Sequence, residues 1–350
     1  MVFGRSRQFF GRIALQSPRG PPKFLDMLKK QHPISSPFDA FSTALDVVDG
    51  VDLSHKTAIV TGGYSGLGLE TTRALCAAGA DVIVPARDTL RAQEATKDLQ
   101  RVECMHIDLS DATSIDEFAN EVLATRKSID LLINNAGVMA TPLFRDAHGH
   151  EGQFSVNHLG HFRLTCALWP GLARRGARVI SVSSRGHQIS PVVFDDIDFR
   201  QRQYDKWLAY GQAKTANALF AVALDRRGAN EGVRAYSLHP GQILTRLARH
   251  LSAEEVSGFD AYDNQGNPRI DPAAGLKTPQ QGAATALWCA TSSLLEGSGG
   301  LYCEDCNVAQ IHEGEPGSPG VSQWAVDDEA AERLWNLSHE WTGNTLISLR

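Results

Sequence analysis

From about residue 56 the chain alternates between two patterns. Short apolar runs, "KTAIVTGG", "ADVIVPAR", "VECMHIDLS", "IDLLINNAG", "ARVISVSS" and "VRAYSLHPG", each end in small, polar or charged residues. Between them lie stretches with helical spacing of apolar positions, such as "LGLETTRALCAAG" and "SIDEFANEVLATR". Apolar residues that run together rather than alternate belong to strands covered on both faces. Their regular separation by helices implies right-handed crossovers and a parallel sheet. The pattern therefore predicts an α/β fold, a single doubly wound Rossmann domain with helices on both faces, over residues 51–350. The tail "DDEAAERLWNLSHEW" predicts a docked amphipathic helix. "AYGQAKTANALF", residues 209–220, reads as another. Residues 242–280 are polar, dotted with Gly and Pro, and long enough for a lid rather than a connector. No internal repeat is visible.

The first 25 residues carry several Arg, Phe and Ser, with no acid before Asp26. That composition fits a mitochondrial transit peptide, a disordered arm, or a start assigned too early with Met27 as the true beginning. Residues 1–50 are expected to form an N-terminal arm, poorly ordered at its start. The expected location is cytoplasmic, or mitochondrial if residues 1–25 are a transit peptide.

Composition narrows the function. The 350 residues are 42% hydrophobic and 21% charged with a net charge of −6, the profile of a folded protein with no sustained basic block for nucleic acid. No apolar run reaches the roughly 18 residues of a membrane helix. Six cysteines, at 76, 104, 166, 289, 303 and 306, lie mostly inside apolar runs, which suits buried thiols better than a disulfide framework. "CEDC", Cys303 to Cys306, lacks a second Cys/His pair and reads as a structural loop rather than a zinc site; no metal is expected.

In an open α/β sheet ligands bind beyond the carboxyl ends of the strands. The first strand runs into "TGGYSGLG" and then a helix: Thr61, Gly62, Ser65, Gly66, Leu67 and Gly68 stand where a backbone must turn tightly and approach a pyrophosphate. The second strand ends in "PARD". A carboxylate there would bond the ribose 2′-hydroxyl of NAD, whereas Arg87 is placed for a 2′-phosphate, so NADP(H) is favoured over NAD(H). Asp108, followed by Leu109, falls at the third strand's end, where a carboxylate could bond the adenine edge; Ser110 or Asp111 is the better helix cap.

These segments, with "NNAG", "FSVNHLGHF", "VISVSS", "YGQAK" and "HPG", resemble the short-chain dehydrogenase/reductases from about Asp52 to "GGLYCEDC". "PARD", "NHLGHF" and the long interval from Ser184 to Tyr210 look like the retinol-dehydrogenase-like and WW-domain-oxidoreductase-like branch. The resemblance implies Tyr210 as general acid/base, Lys214 one helical turn on, Ser184 holding the substrate oxygen, and Asn157 anchoring a water in a proton relay. It also implies cofactor contacts from Asn135, Ala136 and Gly137, and from Pro240, Gly241, Ile243 and Thr245. Asn134 is expected to tie strands together, Ser183 to point away from the site, and His239 to pack at a strand end. Residues four apart share a helix face, so a Lys214 cation beside the phenol should draw the Tyr210 pKa down from about 10 towards working pH.

The expected activity is an NADP(H)-dependent interconversion of a carbonyl and an alcohol, on an apolar small-molecule substrate. Reduction of an activated carbon–carbon double bond and non-catalytic NADP(H) sensing are the alternatives. A homo-oligomer is plausible by resemblance alone.

Overall fold

The computed structural model describes residues 30–346, apart from 244, 260, 261, 264, 266 and 313. The readings made of residues 1–25 and Met27 fall outside the described residues. Eight strands form one sheet in the order β3-β2-β1-β4-β5-β6-β7-β8. They are β1 Thr57–Val60, β2 Asp81–Ala86, β3 Val102–His106, β4 Leu131–Asn134, β5 Arg178–Val182, β6 Arg234–His239, β7 Leu301–Glu304 and β8 Asn307–Val308. All neighbours are parallel except β7 and β8. The chain reverses direction across the sheet between β1 and β4, which opens a crevice at their carboxyl ends.

The first six strands lie where the apolar runs predict them. The "CEDC" segment is instead the turn of the β7–β8 hairpin. Asp305 and Cys306 take φ of 51° and 55°, the left-handed pair that a two-residue hairpin turn demands. Four residues of strand beside an apparent cysteine motif leave too little periodicity to read. All six cysteines are free, and Cys303 and Cys306 are buried.

The helices are α1 Ala44–Val48, α2 Gly66–Ala77, α3 Thr89–Thr96, α4 Ala112–Thr125, α5 Gly152–Phe154, α6 Gly160–Ala167, α7 Trp169–Leu172, α8 Lys206–Gly228, α9 Ala253–Gly258, α10 Pro279–Thr291 and α11 Asp328–Thr342. Side-chain caps start several of them. Asp88 accepts from the Arg91 amide, Asp111 from Thr113, Asp205 from Trp207 and Leu208, and Asp327 from Ala330. Thr278 and Gln281 form a capping box at α10, with Pro279 in the first turn.

Helices α2 and α10 cover one face of the sheet, where Val60, Leu75, Val84, Leu238 and Trp288 pack together. Helices α4, α6 and α8 cover the other, where Ile59, Phe118, Leu132, Phe162 and Leu219 meet. Helix α8 differs from the amphipathic expectation, because it is buried all round from Ala209 to Asp225. Its outer face is covered by α11: Trp335 stacks on Phe220 with 3° between the rings and meets Phe162 edge-on at 4.8 Å. His158 and Ser338, 2.8 Å apart, add a buried polar tie.

Residues 30–50 pack on this body. Gln31 adds a rung at β7, donating to the carbonyls of Tyr302 and Ala309 and accepting from the Tyr302 amide. Among the described residues no helix is long and apolar enough to cross a membrane, and no three His, Cys, Asp or Glu side chains are placed to hold a metal ion.

Candidate active site

The turn after β1 needs its glycines. Gly62 and Gly66 have φ of +66° and +52°, and a Cβ on Gly68 would lie 2.3 Å from the Gly62 carbonyl oxygen. Ser65 caps α2 in an extended conformation without a side-chain capping bond, so the first amides of α2 remain for an anion. A Cβ on Gly66 would meet the Thr245 methyl at 3.2 Å, which places the start of the segment 242–280 over this turn. Leu67 and Ile243 both approach Gly282 of α10, which fixes the two segments to one helix. This bare, close-fitting cradle suits the pyrophosphate of a dinucleotide.

Arg87 is exposed at the end of β2, and no described residue forms an ion pair with it. Asp88 beside it is occupied in capping α3. At the end of β3, Asp108 accepts from both the amide and the hydroxyl of Ser110 through Oδ1, and Asp111 is the helix cap. Leu109 is buried, with its carbonyl against Gly160.

The "NNAG" loop is held to β1. Thr61 Oγ1 accepts from the amides of Asn135 and Ala136, both at 2.9 Å, and Asn135 Nδ2 donates to the Thr61 carbonyl at 2.8 Å. The Asn135 side chain therefore shapes the loop. Asn134 ties β4 to α6 through Thr165 rather than to another strand. Asn157 sits in a π turn, Ser155–Leu159, between α5 and α6. Its side chain grips Val138 by both backbone groups, accepting from the amide at 2.8 Å and donating to the carbonyl at 2.9 Å.

Ser184 follows β5 and accepts from the Gly186 amide at 3.0 Å, leaving its own proton to donate. Its hydroxyl faces the Tyr210 side chain across Gly186. Gly186 permits this meeting, since a Cβ there would lie 2.8 Å from the Tyr210 ring. Ser183 turns to the far side and donates to the Lys214 carbonyl. Lys214, buried, donates from Nζ to the Val182 carbonyl at 2.9 Å and stands 5.7 Å from the centre of the Tyr210 ring. His239 packs under Arg185, accepting its amide through Nδ1.

The electrostatics correct one expectation. Tyr210 is not drawn down by Lys214: burial pushes its phenol up to about 12, and only the nearby Ser184 hydroxyl opposes this. Burial also brings Lys214 down to about 8. In a desolvated pair the loss of water weighs more than the attraction of a cation that is itself costly to keep charged.

The segment 242–280 is closed at its base, where Gln242 donates to Gly275 and Lys277 donates back to Gln242. Gly241 bends there at φ +102° after Pro240, against the Lys277 side chain. The far end is latched by Glu255 of α9, which accepts from Lys206 Nζ, Trp207 Nε1 and the Ser252 amide. Trp207 lies between this segment and the tyrosine, its ring centre 5.8 Å from that of Phe259 and 6.4 Å from that of Tyr210. Sequence reasoning missed Trp207, Phe259 and Glu255, because only the folded segment brings residues 48 or more positions apart together. Gly186 also went unread, since nothing in the local sequence shows that Tyr210 packs against it.

Sheet order, glycine turn and the Ser184–Tyr210–Lys214 group together define a Rossmann-type oxidoreductase. A family model described as short chain dehydrogenase matches residues 56–256. The chain belongs to the short-chain dehydrogenase/reductase family, in its retinol-dehydrogenase-like branch, and is an oxidoreductase that uses a nicotinamide cofactor. It is 45% identical over 294 residues to a protein named "probable oxidoreductase" from Streptomyces antibioticus, covering 81% of this chain and 97% of the relative. It is 37% identical to human retinol dehydrogenase 12, covering 84% and 88%. A solved structure from Mycobacterium paratuberculosis superimposes with a TM-score of 0.66 at 32% identity, covering 88% of this chain and 99% of that one.

Proposed function

We propose that this protein interconverts a carbonyl and an alcohol with NADP(H), and that Tyr210 is the general acid/base. The observation that carries the proposal is that Ser184 Oγ and the Tyr210 ring both crowd Gly186, with the buried Lys214 Nζ 5.7 Å from the ring centre. The nicotinamide, when bound, supplies or accepts the hydride. Tyr210 gives or takes the proton on the substrate oxygen, and Ser184, whose lone pair is engaged by Gly186, donates to that oxygen as its charge changes. Lys214 has three donors and places one on Val182, so the other two can serve the ribose and the phenol.

Thr61, Gly62, Ser65, Gly66, Leu67 and Gly68 would hold the pyrophosphate, with Asn135, Ala136, Gly137, Pro240, Gly241, Ile243 and Thr245 along the ribose and nicotinamide. Asp108 and Leu109 would border the adenine. Arg87, exposed and without an acidic partner among the described residues, supports NADP(H) over NAD(H). Trp207 beside Tyr210, with Phe259 against Trp207, supports an apolar substrate, one with a flat or bulky hydrocarbon next to its carbonyl.

The test is oxidation of NADPH and NADH against aldehydes, ketones and quinones, with Tyr210→Phe run in parallel. Turnover with NADPH that vanishes in the variant while NADPH still binds is the expected result. Full activity in Tyr210→Phe would remove Tyr210 from the mechanism. Products reduced at a carbon–carbon double bond would replace the carbonyl reading.

A further inference from the structure

His161 is buried one helical turn beyond Asn157, and neither the coenzyme cradle nor the proposed chemistry uses it directly. Its Nδ1 lies 3.0 Å from the Asn157 carbonyl oxygen and its Nε2 lies 2.9 Å from Thr61 Oγ1. The protons can be assigned by counting. A hydroxyl has two lone pairs and one proton. The amides of Asn135 and Ala136 take both lone pairs of Thr61, so Thr61 has only its proton left to offer. His161 Nε2 at 2.9 Å is a nearer acceptor than the Ile133 carbonyl at 3.4 Å. Nε2 is then bare, and a neutral imidazole with Nε2 bare carries its proton on Nδ1. The partner at Nδ1 is a carbonyl, which can only accept. Both ends of the ring thus require the same tautomer. Burial, aided slightly by the Lys214 charge, brings the ring down to about 4 against the Asn157 bond, so it stays neutral at working pH.

The bonds form a closed circuit. Thr61 holds the amides of Asn135 and Ala136, and the chain runs on through Gly137 to Val138. Asn157 grips Val138, and His161 returns from the Asn157 carbonyl to Thr61. At its centre a Cβ on Gly137 would lie 3.0 Å from Asn157 Oδ1 and 3.8 Å from Lys214 Nζ. The π turn matters here, since a π turn offsets backbone carbonyls from the regular helical ladder and is frequent at functional sites.

We propose that His161 is a positioning residue: fixed as its Nδ1–H tautomer, it fastens the coenzyme-side loop 135–138 and the Asn157 turn to the end of β1, so that cradle and catalytic face are set as one unit. The inference rests on the proposed coenzyme-binding role of this loop, and its readouts are independent of turnover. An amide offers a donor and an acceptor at about the spacing of the two ring nitrogens, whereas an aliphatic side chain fills the space without either.

The experiment compares His161→Gln and His161→Leu with the wild-type protein by NADPH fluorescence titration. It is paired with nitrogen-15 NMR of the wild-type histidines to read the tautomer. The expected result is an NADPH dissociation constant within about threefold of wild type for His161→Gln, at least tenfold weaker for His161→Leu, and an Nδ1–H signal assigned to His161. Unchanged affinity in His161→Leu would overturn the proposal, as would equal loss in both variants, which would make the ring a packing element. An Nε2–H tautomer would overturn it too, even if neither variant folds. Loss of the acid/base reading through an active Tyr210→Phe would leave all of these measurements unaffected.

Discussion

Lys214 donates from Nζ to the carbonyl oxygen of Val182 at 2.9 Å, the last residue of β5, and so keeps a cation where little water can reach it. Burial lowers its pKa from 10.5 to about 8. Between those values the unfolded chain binds more protons than the folded one, so stability rises with pH across that window. Below pH 8 the cost of the buried ammonium is present in full. It is on the order of 3 kcal/mol, against roughly 1.5–3 kcal/mol for a hydrogen bond made by a charged group such as that to Val182. Lys214→Met should therefore be inactive yet at least as stable as wild type to urea at pH 7, and any gain should shrink as pH rises towards 10. A gain that does not vary with pH would mean that the ammonium is not desolvated.

Arg87 is exposed, and its neighbour Asp88 is committed to capping α3. Hydrogen bonds to a charged group contribute roughly 1.5–3 kcal/mol. Arg87→Ala should weaken NADPH about tenfold to a hundredfold and change NADH by less than about twofold. Titration with both coenzymes decides this, and equal losses for the two would take Arg87 out of the discrimination.

Glu255 latches α9 to the start of α8 through Lys206 and Trp207. The Lys206 bond, with help from the Ser252 amide, holds the carboxyl down to about 2. Its contribution is thus present above the ordinary carboxylate value of 4.5 and is lost only as pH falls towards 2. Glu255→Gln should raise KM for apolar ketones severalfold at pH 7 and speed proteolysis within residues 246–258, with NADPH affinity unchanged. If KM stays at the wild-type value, the latch has no part in holding the lid over substrate.

Trp335 of α11 fills the aromatic cluster with Phe162 and Phe220 behind the catalytic helix. Trp335→Ala should cost about 3–5 kcal/mol, visible as a lower denaturation midpoint. Folded variant should bind NADPH normally, because Phe220 lies ten residues, about 15 Å, along α8 from Tyr210. A midpoint within a degree of wild type would show that α11 adds little.

The amino-acid sequence alone determined the six parallel strands, since strands buried on both faces must be continuously apolar, as in β2 and β4. It also determined the glycine turn and the relation of Tyr210 to Lys214, which are local: a turn with positive φ needs glycine, and a spacing of four on a helix is one turn. Tertiary structure decided what spacing cannot encode. The β7–β8 hairpin has too few residues for a period, and its turn is built by Asp305 and Cys306 at positive φ rather than by glycine. Helix α8 is buried all round only because α11, more than a hundred residues later, closes over it. The pKa values of Tyr210 and Lys214 follow from their burial in the fold, because desolvation depends on everything that surrounds a group and not on its neighbour in the chain. The tautomer of His161 depends likewise on Thr61, a hundred positions before it, whose lone pairs were taken by two other segments of the fold.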